Sequence, residues 1–265
     1  MKIRVIALNT FGGFLRDRLI ILFCALFVCV VLLMMTPLLF VRAMGAANKT
    51  QQPAGLVLSI VTGIMFLASG FGSLLAAWAS ADAISSEMRS GTILAVMAKP
   101  VRRWEFLLGK YLGVQLLMLV YIAAMLLLSY LLAWLGGERI HSSWWLLLLY
   151  PLVRYAVYSA MAMLLVTVLH PIVTIAIVML ISVASSVVAP GGHLPIPEVI
   201  RTSLYIFLPS TNLLSETRFL TLTQTVVNPG VWIDHVTALA YGLDYALVCF
   251  LLAVWLFHYR GLTRD

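Results

Sequence analysis

The chain has 265 residues, 63% hydrophobic and only 10% charged, with a formal net charge of +7. An ordinary soluble domain is about 25% charged. At a mean hydropathy of +1.05, this chain has too few charges to cover a water-facing surface, which excludes a soluble globular enzyme. The dominance of apolar residues also excludes a disordered chain.

At about 20 residues per bilayer crossing, the apolar stretches have room for about six helices. The expected fold class is therefore all-α, a polytopic membrane protein in one domain. The basic residues stand beside apolar runs, where they act as topology signals, so nucleic acid is not an expected partner. Cys24, Cys29 and Cys249 lie inside apolar runs and offer neither a disulfide framework nor metal-ligand spacing.

In chain order, residues 1–18 set Lys2, Arg4, Arg16, Asp17 and Arg18 around Ile3, Ile6, Ala7, Phe11, Phe14 and Leu15. That spacing approximates one apolar helical face, weakened by Gly12 and Gly13, and predicts an interfacial helix leading into the membrane. The uncharged run 19–41 is long enough for one crossing. It is too long for the apolar region of a signal peptide, and Arg42 stands where cleavage disfavours charge, so a retained helix is expected.

The second span, 54–81, is rich in small residues. Ala68, Gly72, Ala76 and Ser80 recur every fourth position, and so do Ser69, Ser73, Ala77 and Ala81. Such faces let helix backbones approach closely in lipid. Packing within the chain is one reading, and a dimer or substrate-path face is the other.

Residues 82–110 form the one long charged segment. Further spans follow at 111–135, 144–169 and 172–188, the last two separated by His170 and the helix-breaking Pro171. Residues 189–234 carry Pro190, Pro195, Pro197, Pro209 and Pro229, and their middle is apolar enough for a re-entrant dip. The last span is 235–258, before a short basic tail. Six spans put both termini on one side. That side holds eleven of the 17 Lys and Arg residues, against Arg42, Lys49, Arg139, Arg201 and Arg218 on the other, so both termini are expected to be cytoplasmic.

No catalytic constellation stands out. The five histidines are scattered, and there is no HExxH, no paired Cys and no Gly-x-Ser-x-Gly elbow. Gly109-Lys110 is followed by Tyr111 and has Trp104 where a phosphate loop needs its first glycine, so no cofactor or metal is expected in this chain. Asn48-Lys49-Thr50 matches a glycosylation acceptor in an outer loop. Arg154 and Asp244 fall near the midplane of the fourth and sixth spans, where a charge costs at least about 2.5–3.5 kcal/mol. They are expected to pair across the two helices, either as a structural tie or as a polar point on a substrate path.

Residues 84–113 read ISSEMRSGTILAVMAKPVRRWEFLLGKYLG. Residues 84–97 suit a short charged amphipathic helix ended by Pro100, and Arg102, Arg103 and Lys110 suit anchoring at anionic headgroups. A charged helix braced between two spans is a handle that a soluble partner could grip. Glu87, Gly91-Thr92, Pro100, Arg103 and Gly109-Lys110, in this order and spacing, resemble the corresponding loop of the type 2 (ABC-2, exporter-like) family of ABC transporter permeases. Leu15-Arg16-Asp17-Arg18 is similar to that family's N-terminus, and the layout of spans is similar over nearly the whole chain. Arg102 departs from the family, which usually has a small polar residue there.

The resemblance implies a multi-pass permease of the cell (inner) membrane, exporting a substrate. Its cytoplasmic coupling helix would dock on a separate ABC ATPase subunit that carries ATP and Mg. Two permease chains, identical or different, would complete the unit. Carried over position by position, Glu87, Gly91, Thr92, Pro100, Arg103 and Lys110 would be coupling residues, with Glu87 and Arg89 facing the ATPase. The competing reading is a self-sufficient secondary transporter or channel, which would call for several intramembrane charges or two matching halves with broken helices. An intramembrane enzyme would need a polar catalytic cluster at one depth, which the sequence does not display.

Overall fold

A computed structural model describes residues 2–18, parts of 20–36, and residues 56–90, 102–136, 146–188, 208–214 and 229–259. The elements among them are α1 (Lys2–Arg16), α2 (Leu56–Ser90), α3 (Arg103–Gly136), α4 (Leu146–Val166), α5 (Pro171–Val188) and α6 (Pro229–Tyr259), with a single 3₁₀ turn at Thr211–Leu214. Four segments are long and apolar enough to cross a membrane: Phe66–Glu87, Arg103–Leu128, Leu149–Val166 and Asp234–Tyr259. Ile20–Cys29 and Pro171–Ser185 are shorter apolar helices. Of the six expected crossings, four thus appear at full length among the described residues.

The centre of the bundle is α4, which packs against α2, α3, α5 and α6. Its Tyr150, Val153, Tyr155, Val157, Tyr158 and Met161 are all buried, as a helix that is apolar on every side requires. By contrast, α3 and α6 turn Leu119, Leu127, Leu247 and Leu251 outward, a surface suited to hydrocarbon. Trp104 and Trp134 stand exposed near the two ends of α3. At 1.5 Å per residue they are about 45 Å apart, the depth of a bilayer with its headgroups, and amphipathic rings settle at those two levels.

Both small-residue faces of α2 are consumed within the chain. Ala68, Ser69, Ser73, Ala76, Ala77, Ser80 and Ala81 are buried, where α2 meets α3, α4 and α5. At Gly72, the rings of Tyr155 and Tyr121 occupy the space a side chain would need, with Tyr121 Cε1 only 2.7 Å from where a Cβ would stand. The hydroxyl of Tyr121 donates to the carbonyl of Ala68 at 2.6 Å, which locks that ring over the small residues.

The first helix lies on α3 by the same device. A Cβ at Gly109 would stand 2.7 Å from Ile6 Cβ, and one at Gly113 would stand 2.7 Å from Thr10 Cβ. Gly109-x-x-x-Gly113 therefore forms the close-approach surface that small residues provide in membranes. The face of α1 that meets it buries Ala7, Thr10 and Phe14, whereas Leu15 is 52% exposed. Thr10 thus replaces Leu15 in the expected apolar face. Its hydroxyl donates to the Ile6 carbonyl at 2.8 Å, so its burial strands no polar atom.

The break between α4 and α5 falls where the sequence places it. Pro171 opens α5 at the position where a missing N–H costs least, and the Thr174 N–H reaches the His170 carbonyl at 2.9 Å. Of the segment 189–234, the structure describes residues 208–214 and the start of α6. There the buried Leu214 packs against Gly242, near the middle of α6, and the Ser210 N–H donates to the Tyr241 hydroxyl at 3.1 Å. The rest of the expected re-entrant dip lies outside the described residues. Residues 84–90 continue α2 without a break, so this half of the expected 84–97 helix is an extension of the second span.

Candidate functional site at the joined helix ends

The C-terminal ends of α2 and α6 and the N-terminal end of α3 meet on one side of the bundle, with α1 laid against them. Glu87, in the last turns of α2, forms an ion pair with Lys110 of α3. Lys110 is only 7% exposed, and its ammonium lies 5.7 Å from the centroid of the Phe106 ring. An ammonium so buried needs a counter-charge, and Glu87 supplies it, which fixes α2 against α3. On its other side, the Glu87 side chain keeps 22% of its surface open. It faces a polar cleft of about 440 Å³ between α1, α2 and α3, which Asn9, Asp17, Asp82 and Ser86 also line.

Arg103 ties α3 to the last helix. Its Nη1 donates to the carbonyls of Phe257 at 3.2 Å and His258 at 2.8 Å. The final carbonyls of a helix have no donor of their own, and a cation there also complements the helix dipole. Beneath it, Phe106 stacks on Phe257 with centroids 6.3 Å apart. At the start of α3, the Glu105 carboxylate accepts the Arg102 N–H at 3.0 Å, one half of a capping box.

Of the residues singled out as coupling positions, the structure thus brings Glu87, Lys110 and Arg103 into one connected set. Arg89 lies in the last turn of α2, its side chain outside the described residues; Gly91, Thr92 and Pro100 are likewise outside them. Gly109 packs on α1 and Lys110 is held by Glu87, so this Gly-Lys pair is not available to cradle a phosphate. Among the described residues, no three His, Cys, Asp or Glu side chains gather closely enough to hold a metal ion.

Arg154 and Asp244, expected to pair across their two helices, lie on faces that point in different directions. Arg154 Nη2 donates to Ser73 Oγ of α2 at 3.3 Å, and its guanidinium lies 5.8 Å from the centroid of the Tyr158 ring. Asp244 lies on the exposed side of α6, and the described residues show no ion pair between the two. The cause is helical phase. Val153 is the α4 residue that closes on Gly242 of α6. At about 100° per residue, Arg154 then turns toward α2, and Asp244, two residues past Gly242, turns outward.

Three further polar contacts join the helices inside the bundle. Tyr150 bonds to His235, Tyr158 to Ser182 at 2.7 Å, and Gln115 donates to Ser159 at 2.5 Å. The Gly109/Gly113 seat was missed by sequence reasoning, although its four-residue spacing is a readable signal. The Tyr150–His235 contact spans two helices far apart in sequence and leaves no such signal.

Membrane-length apolar helices packed through small residues define a multi-pass membrane protein. The model of the ABC-2 family transporter protein matches residues 4–262, so the chain belongs to the ABC-2 family of transporter proteins. No curated protein matches it in sequence.

Proposed function

We propose that the chain is the membrane-spanning permease subunit of an ATP-binding cassette transporter and exports its substrate across the cell membrane. A separate ABC ATPase subunit, carrying ATP and Mg, supplies the energy, and a second permease chain, identical or different, completes the unit. Family membership supports the permease role. The observation that carries the coupling role is the connected set at the helix ends, where Glu87–Lys110 joins α2 to α3 and Arg103 joins α3 to α6. The last residue of α2 and the first described residue before α3, Ser90 and Arg102, flank this set, and on this reading the segment that joins them contacts the ATPase together with Glu87 and Arg89.

A push on that segment moves the end of α2. Lys110 passes the displacement to α3, Arg103 passes it to α6, and α1 follows on its glycine seat. Close-packed helices shift as units rather than deform, so the displacement reaches the spans. On this reading both termini are cytoplasmic, because α1 and the end of α6 lie on the same side as the coupling segment.

Affinity purification of the full chain from its native membrane tests the proposal. The expected result is a stoichiometric ABC ATPase in the eluate together with ATPase activity. A chain that elutes alone and without ATPase activity overturns it.

A further inference from the structure

An open groove of about 720 Å³ runs between α1, α3, α4 and α6, within the range of roughly 300–1,000 Å³ typical of ligand sites. Its walls are leucines: Leu112, Leu116 and Leu119 along one face of α3, Leu152 of α4 and Leu243 of α6. Four of these, Leu112, Leu116, Leu119 and Leu243, are more than a third exposed. Two polar side chains also line it, and both donate inward: the Tyr111 hydroxyl to the Ala156 carbonyl at 3.1 Å and the Gln115 amide to Ser159 Oγ at 2.5 Å.

The groove has a charged end. Arg4, on the exposed side of α1, lines it and makes no ion pair among the described residues. From there the leucines of α3 lead about 10 Å along the helix toward Leu243, near the middle of α6. A cation at the membrane surface above an apolar channel that deepens toward the midplane has the polarity profile of one lipid molecule. The guanidinium is the group best shaped to hold a phosphate.

We propose that this groove is a binding site for one anionic phospholipid, with its phosphate on Arg4 and one acyl chain along Leu112, Leu116 and Leu119. The lipid braces α1 against the bundle. The inference does not depend on an ATPase partner.

Native mass spectrometry of the full, delipidated chain tests it, with palmitoyl-oleoyl phosphatidylglycerol or phosphatidylcholine added separately. The expected result is one phosphatidylglycerol retained per chain, about fivefold more tightly than phosphatidylcholine. Arg4→Ala is expected to erase that preference, and Leu116→Trp, which fills the groove, to remove the retained lipid of either kind. Leu119→Trp fills the groove at a second point should the first variant fail to fold. Equal retention of the two lipids by the unmodified chain overturns the anionic assignment. Retention unchanged by both tryptophans overturns the groove and leaves only surface attraction.

Discussion

Replacing Lys110 by methionine is expected to destabilise the chain by about 3 kcal/mol, the low end for breaking a buried ion pair, because Glu87 keeps one side in the polar cleft. The methionine preserves most of the stem that packs on Phe106, so the loss reports the stranded carboxylate and not a cavity. In thermal unfolding followed by tryptophan fluorescence in detergent, this corresponds to a fall in Tm of roughly 6–12 °C for a chain of this size. Adding Glu87→Gln to Lys110→Gln leaves two neutral groups that still hydrogen-bond, and it is expected to recover at least half of the loss. If the double variant melts no higher than either single variant, the pair does not hold α2 to α3.

A single methyl group at Gly72 is expected to destabilise the chain by up to about 2 kcal/mol net. Gly72→Ala puts a Cβ into the Tyr155 ring and 2.7 Å from Tyr121 Cε1. Neither ring is free to yield, since Tyr155 is fully buried and Tyr121 is tied to Ala68. Overpacking of this kind costs about 1–3 kcal/mol and more where rings cannot move, against a gain of about 1 kcal/mol from removing a helical glycine. Gly70, half a turn away on the same helix, has nothing within 4 Å of its Cβ position, so Gly70→Ala is expected to be neutral or mildly stabilising. Comparing the two variants by thermal unfolding separates close packing from helix propensity. Equal behaviour of Gly70→Ala and Gly72→Ala would show that the Tyr155 contact is not a constraint.

The helical character of the chain was readable because apolar length and proline position act locally. The run before Pro171 and the last span fall close to where the residues place them, whereas α3 begins at Arg103, eight residues before the span expected from residue 111. The partners of the intramembrane charges were not readable, because depth along a helix is visible in sequence and rotation about its axis is not. Arg154 and Asp244 share a depth, yet the phase set by Val153 on Gly242 turns them apart. Glu87 and Lys110 were legible as notable residues through the family resemblance, but their pairing depends on how far α2 extends beyond the apolar stretch. That extension to Ser90 also explains why a separate helix beginning at residue 84 was expected: the charged composition changes at Asp82, while the backbone helix does not. The glycine seat of α1 is visible as the spacing Gly109-x-x-x-Gly113, but the spacing does not say which helix will lie on it.

The central claim, that the end of α2 and the segment after it face an ABC ATPase, is tested most directly by a photo-crosslinking amino acid placed at position 89 of the full chain in its native membrane. Irradiation is expected to join the chain to a protein with the phosphate-loop and signature motifs of an ABC ATPase, identified by mass spectrometry, and a crosslinker at the lipid-facing position 127 is expected to give no such product. Crosslinking from position 89 to lipid alone, or to this chain alone, would contradict the account.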